Sequence, residues 1–157
     1  MAEADYALLA QREAIRDLIQ ASGALLDQER FADWIALFAA DGVYELASDS
    51  PELGQPSPWL DLDRASLAQY LAEMGERVRY RDRRLHLIAT ISVQIEGDTA
   101  TAESHVVVFR TGPEGATHCD AAGRYHDTLV RQAGQWRLAR RRVTLDTRVH
   151  PGHHVPL

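Results

Sequence analysis

Apolar residues recur at helical spacing from the start of the chain. Leu8, Ile15, Leu18, Ile19, Ala21 and Leu25 fall on one stripe and predict an amphipathic helix over residues 5–28, with Gly23 a mild weak point. Phe31, Trp34, Ile35 and Phe38 give a second, shorter helix over 30–39, ended by Asp41-Gly42. Val43-Tyr44-Glu45-Leu46 reads as a short strand. Residues 48–61 hold Pro51, Pro56 and Pro58 with Gly54 and read as a loop. Asp63 then stands where an N-cap would, and Leu67, Tyr70, Leu71 and Met74 form the stripe of a third helix over 63–79.

From His86 the period changes from helical spacing to β-branched alternation. Strands are expected at 86–95, 99–110, 117–131 and 136–149. They are separated by Glu96-Gly97-Asp98, by Thr111-Gly112-Pro113-Glu114-Gly115 and by Gln132-Ala133-Gly134-Gln135. Helices first and a strand meander last predict an α+β fold. The expected architecture is a cystatin-like cone of about three N-terminal helices on a strongly curved antiparallel sheet. It forms a single domain over 1–157, with a tail from His150.

Composition narrows the class. At 157 residues and 45% hydrophobic content the chain can bury a core of its own. A net charge of -6 argues against a nucleic-acid surface. The basic runs Arg79-Tyr80-Arg81-Asp82-Arg83-Arg84 and Arg140-Arg141-Arg142 read as a solvated loop and as part of a strand. Cys119 is the sole cysteine, which excludes an intrachain disulfide and fits a reducing, cytoplasmic compartment. No run approaches the ~20 apolar residues of a membrane helix.

Several pieces, in order, resemble the nuclear-transport-factor-2-like superfamily. They are Ala24-Leu25-Leu26-Asp27, Phe31, Trp34, Leu37-Phe38-Ala39, Asp41 and Tyr44, then His86 after a basic run. Glu96-Gly97-Asp98-Thr99-Ala100, Gly123-Arg124-Tyr125-His126-Asp127 and Gly134-Gln135-Trp136-Arg137-Leu138-Ala139-Arg140-Arg141 follow. Two branches of that superfamily are similar. The SnoaL-like and scytalone-dehydratase-like branch contains small lyases, isomerases and hydrolases. The small (β) subunits of aromatic-ring-hydroxylating dioxygenases are similar at Leu25-Leu26-Asp27, Arg83-Arg84-Leu85-His86 and Arg140-Arg141-Arg142-Val143-Thr144-Leu145-Asp146. Those subunits are mostly structural and carry no metal of their own. The chain departs from them in being short and in lacking an aromatic-rich segment after Tyr44.

The first branch implies that Asp27 meets His86. A carboxylate of this kind orients an imidazole and stabilises it once protonated. The imidazole then works as a general base without a cofactor. Each residue also has a structural reading: Asp27 as the cap of the helix at 30–39, His86 as a satisfied core histidine. Tyr44 and Tyr125 are candidates to hold a substrate oxygen, or else plain core phenols. Trp59 lines the cavity mouth or packs on the helices. Of Ser104 and His105 only one can face inward, and His118 and His126 share a face. His150, His153 and His154 invite a metal reading, but the spacing lacks a fourth ligand, and no metal or other cofactor is expected.

The reading favoured by the residues is a cofactor-independent lyase or isomerase acting on a hydrophobic, carbonyl-bearing ring compound. Asp27 and His86 would be catalytic, and Tyr44, Tyr125 and Trp59 would bind substrate. The alternatives are a non-catalytic dioxygenase β subunit and a ligand-binding module. A homodimer through the sheet is the expected assembly, with a trimer or a complex with a larger subunit as alternatives. Nucleic acid and membrane are not expected as partners.

Overall fold

A computed structural model describes residues 2–52, 54–77 and 82–148. The elements run α1 (Ala2–Asp27), α2 (Phe31–Ile35), β1 (Phe38–Ser48), β2 (Ser57–Asp63), α3 (Arg64–Arg77), β3 (Arg83–Glu96), β4 (Thr99–Thr111), β5 (Thr117–Gln132) and β6 (Gln135–Leu145). The strands form one six-stranded sheet in the order β2-β1-β6-β5-β4-β3. All neighbours are antiparallel except β1 and β6, which run parallel. Helix α1 lies along β3, α3 lies against β1 and β2, and α2 bridges the two. The α+β cone is therefore the observed fold.

The curvature has a local cause. Each strand pair carries one register shift: Phe38/Val43, Leu46/Ala47, Thr90/Ser92, Val108/Phe109 and Thr128/Leu129. A bulge bends its strand and adds twist, so five of them wrap the sheet around the helices. The β5–β6 hairpin is closed by Ala133 and Gly134, both at positive φ (50° and 78°), as a two-residue turn of right-handed twist requires.

Three expectations need correction. The second helix stops at Ile35, and Phe38 and Ala39 already belong to β1. Asp41-Gly42 is the bulge of that strand rather than a helix break. The supposed loop 48–61 contains most of β2, an edge strand, where Pro58 costs no ladder bond. The meander of four strands is thus the larger part of a sheet of six. Asp63 does cap α3: the Ser66 backbone N–H donates to its Oδ1 at 2.7 Å. On α1 the inner face is Ile15, Ile19, Ser22, Gly23 and Leu26, while Leu8 and Ala21 are exposed. The Met74 side chain, Arg79 to Arg81 and the tail with His150, His153 and His154 lie outside the described residues.

An aromatic cluster ties the layers together. Trp34 meets Phe38 and Tyr44 edge to face, with ring centroids 5.2 and 5.5 Å apart. Gly23 sets how closely α1 approaches the sheet. A Cβ there would lie 2.8 Å from Ile88 Cδ1 and 3.0 Å from His86 Cβ. Gly23→Ala should therefore fail to stabilise the protein. The helix-propensity gain of about 1 kcal/mol meets an overpacking cost of ~1–3 kcal/mol. Urea unfolding checks this: a midpoint equal to or below that of the parent is expected, and a clear rise would contradict the close contact.

Candidate functional site

The site forms where the end of α1 meets β3. Asp27 is the last residue of α1, the end at which the helix dipole repels a carboxylate. What holds it there is His86. The His86 backbone N–H donates to Asp27 Oδ2 at 2.9 Å, and ring Nδ1 lies 2.5 Å from Oδ1. Both carboxylate oxygens are spent on one residue, once on its backbone and once on its ring. Asp27 therefore orients His86 and caps the free edge of β3 at the same time. Gln20 does the same one step along, donating from Nε2 to the Ile88 carbonyl at 2.8 Å. Arg84 closes the helix end by donating from Nη2 to the Leu26 carbonyl at 2.9 Å.

Burial opposes ionisation of Asp27. The hydrogen bonds from the His86 ring and backbone, and the charges of His86 and Arg84, outweigh it and hold the carboxyl below the ordinary carboxylate range. A carboxyl lowered in the folded state adds stability above its unfolded pKa, and that stability is lost as pH falls through the folded value. The stability assigned to this contact should be complete above about pH 4 and fade below it. Urea midpoints measured between neutral pH and about pH 3 should show a fall that is shallower in Asp27→Asn. Parallel curves for parent and variant would count against the contact.

Behind Asp27 the His86 side chain is fully buried, and its Nε2 has no protein hydrogen-bond partner. The ring borders a narrow hollow of about 10 Å³, room for a single water-sized group. Its polar members are His86, Tyr44 and Tyr125; Val106, Val108, Ala121, Val143 and Leu145 form the walls. Burial pushes the Tyr44 phenol far above its usual value, and Tyr125 is pushed up to about 12, with the Arg141 cation pulling both the other way.

A buried ion pair lies beneath the hollow, and the sequence reading missed it. Arg141 donates from Nε and Nη2 to the two oxygens of Asp127, both at 2.8 Å, and from Nη1 to Ser22 Oγ at 2.7 Å. Its guanidinium carbon sits 4.2 Å from the centre of the Tyr125 ring. Arg141 and Asp127 are 1% and 0% exposed. Burial alone would make Arg141 easier to deprotonate, but the Asp127 carboxylate beside it keeps it firmly a cation. A second buried pair joins Arg110 to Asp120 Oδ2 at 3.2 and 3.0 Å, one inward position beyond Val108.

The sequence-derived candidates therefore divide. Asp27, His86, Tyr44 and Tyr125 come together. Trp59 sits on β2, where its Nε1 donates to Ser48 Oγ at 3.2 Å; it packs on the core and does not line the hollow. Ser104 faces inward and His105 outward, while His118 and His126 are on the exposed side. Among the described residues no three His, Cys, Asp or Glu side chains are grouped to hold a metal ion. The inward phase of the strands and of α1 was the available signal for the missed residues. Asp127 alternates with Tyr125 and Leu129, Arg141 with Val143 and Leu145, and Ser22 falls between Ile19 and Leu26 on the helix stripe.

The model of the SnoaL-like domain matches residues 7–142. The chain is 32% identical over 146 residues to the β subunit of 2-aminobenzenesulfonate 2,3-dioxygenase from an Alcaligenes species, covering 92% of this chain and 97% of that one. Its length is thus no departure from such subunits. In structure it is similar to a Novosphingobium aromaticivorans chain described as an aromatic-ring-hydroxylating dioxygenase β subunit (31% identity, TM-score 0.79, 92% and 94% coverage). An NTF2-like protein with a cystatin-like fold from the same organism is also similar (30% identity, TM-score 0.74, 91% and 86% coverage). The chain belongs to the SnoaL-like domain family of the nuclear-transport-factor-2-like superfamily, alongside the β subunits of ring-hydroxylating dioxygenases.

Proposed function

We propose that the chain is the small (β) subunit of a ring-hydroxylating oxygenase, a cytoplasmic scaffold that assembles with a large iron-containing subunit. The carrying observation is its similarity to a dioxygenase β subunit along almost the whole of both chains. Two features of the molecule support it. The hollow beside His86 is far too small for an aromatic ring. The outer face of β3 also exposes Leu85, Leu87 and Ile91, each more than half accessible, as a surface awaiting cover. The relative is named for an anionic substrate, a sulfonate. Arg141, the cation under the hollow, is already committed to Asp127, so this reading puts the chain's contribution in assembly. Self-association as a homodimer or trimer through the outer face is the competing assembly, read from the mass of the purified chain. Expressing the large subunit of the same genome with and without this chain tests the proposal. Soluble, active large subunit should depend on the chain. Full activity in its absence would sink the idea.

A second reading, proton transfer by Asp27 and His86, is favoured by one observation: the buried, unpartnered Nε2 faces the hollow. It requires the hollow to open for a hydrophobic carbonyl compound, with Tyr44 or Tyr125 holding the substrate oxygen. On this reading Asp27→Asn and His86→Gln each cut turnover by orders of magnitude in a folded protein. Full activity in both variants ends it.

A further inference from the structure

We propose that the N-terminal end of α1 is an arm that docks on the outer face of β3 in a second copy of the chain, so that copies join head to tail. This goes beyond the subunit reading and does not rest on it. Copies joined in this way neither require nor exclude a large subunit.

The places where apolar surface is left open carry the first half of the inference. Among the described residues the exposed large apolar side chains are Tyr6, Leu8, Leu9, Leu85, Leu87 and Ile91. They fall in two groups, one at the start of α1 and one on β3. Residues 3–10 are exposed on every side of the helix. Leu8 nevertheless lies on the line of Ile15 and Ile19, which are fully buried further along. The inner stripe of α1 therefore runs on past the body that covers it, and the helix ends as an uncovered arm. On the sheet, Leu85 stands opposite Phe109 and Leu87 opposite Val107, both half-buried, so the open patch spans β3 and β4. Open apolar surface of this kind marks a contact with another molecule.

Geometry makes the contact intermolecular. The last residue of α1, Asp27, binds His86 on the inner face of β3. Leu85 and Leu87 alternate with His86 and so point to the opposite face. Leu8 lies roughly 28 Å back along the helix axis from Asp27. The arm of one chain cannot reach Leu85 and Leu87 of the same chain. Charge matches the two surfaces across copies. The arm carries Glu3 and Asp5 and no basic residue before Arg12. The patch is led by exposed Arg83, two residues before Leu85 and on the same side of the strand. An apolar helix with an acidic tip thus meets an apolar patch with a basic end. The two surfaces differ, so each copy gives one and receives the other, and the contact is not a symmetrical packing of two sheet faces.

The test uses the full chain alone, with Leu9→Glu on the arm and Leu87→Glu on the patch, both exposed positions whose folding is checked by circular dichroism. Tyr6→Glu or Leu85→Glu replaces either variant that does not fold. Sedimentation velocity across the micromolar range should show the parent associating, and each variant should associate about tenfold or more weakly. The deciding sample is the equimolar mixture of the two. Leu87→Glu keeps its arm and Leu9→Glu keeps its patch, so one intact contact forms and growth stops at a dimer holding one copy of each. Three outcomes overturn the proposal: a parent that stays monomeric, either variant associating as strongly as the parent, or a mixture in which the two variants remain separate. None of the three bears on whether a large subunit binds.

Discussion

Asp127→Ala should destabilise the protein by about 3–5 kcal/mol, the usual cost of leaving one member of a buried ion pair alone. That is a large fraction of the ~5–15 kcal/mol that keeps a domain folded. The guanidinium of Arg141 cannot reach water: it lies between Asp127, the Ser22 hydroxyl and the Tyr125 ring at 1% exposure. Ser22→Ala removes one charge-assisted hydrogen bond and should cost less, about 1.5–3 kcal/mol. Removing both charges is a different experiment. Asp127→Leu with Arg141→Met takes away the need to desolvate two ions, and should recover most of the loss. Urea unfolding of the three variants decides the matter. If Asp127→Ala costs less than about 1 kcal/mol, the pair is not the water-excluded contact between β5 and β6 described above.

Asp27→Ala should cost about 2–4 kcal/mol, because it strips partners from two groups at once. The His86 backbone N–H and ring Nδ1 both depend on this carboxylate, and each unsatisfied buried group costs ~1–3 kcal/mol. The lower half of that sum is expected, since the Asp27 side chain is 15% exposed and water can replace part of what is lost. Asp27→Asn keeps an acceptor for the backbone N–H but offers an N–H where the ring needs an acceptor. It should fall between the parent and Asp27→Ala and reorient the imidazole. Equal midpoints for Ala and Asn would show that Asp27 acts on only one of the two groups.

The fold was legible where pattern and physics coincide. The stripes on α1 and α3 and the Asp63 cap are local, and the four long strands alternate cleanly between Gly-containing turns. β2 was not legible, because Pro51, Pro56 and Pro58 signal a loop. Only its position at the sheet edge, a tertiary fact, lets a strand carry Pro58. The boundary of α2 failed for a related reason. Phe38 continues the spacing of Trp34 and Ile35, but its burial is satisfied equally well from a strand beginning at that residue.

At the site, Asp27 and His86 were reachable through the family resemblance, and their contact is what the coordinates show. Spacing alone left Asp27 as a cap for the next helix. Arg30 occupies that cap position instead, without a capping hydrogen bond from its side chain, which pairs with Asp33. Arg141 was hidden inside Arg140-Arg141-Arg142, a run that reads only as part of a strand, with no one of its three arginines singled out. Only the middle residue points inward, while its neighbours reach Glu45 on the outer face at 2.6 and 2.8 Å. Strand phase could have singled it out, but nothing in one sequence says that Asp127 and Ser22 meet it. The size of the hollow was also beyond reach, since it depends on how Val106, Val108 and Val143 close around two tyrosines.

Light scattering on the purified chain, alone and mixed with the large oxygenase subunit of the same genome, tests the assignment as a scaffold most directly. A single species containing both chains, with the free chain consumed as the large subunit is added, is the predicted result. Two separate species at micromolar concentration, with the chain unmoved as a closed homo-oligomer, would contradict it.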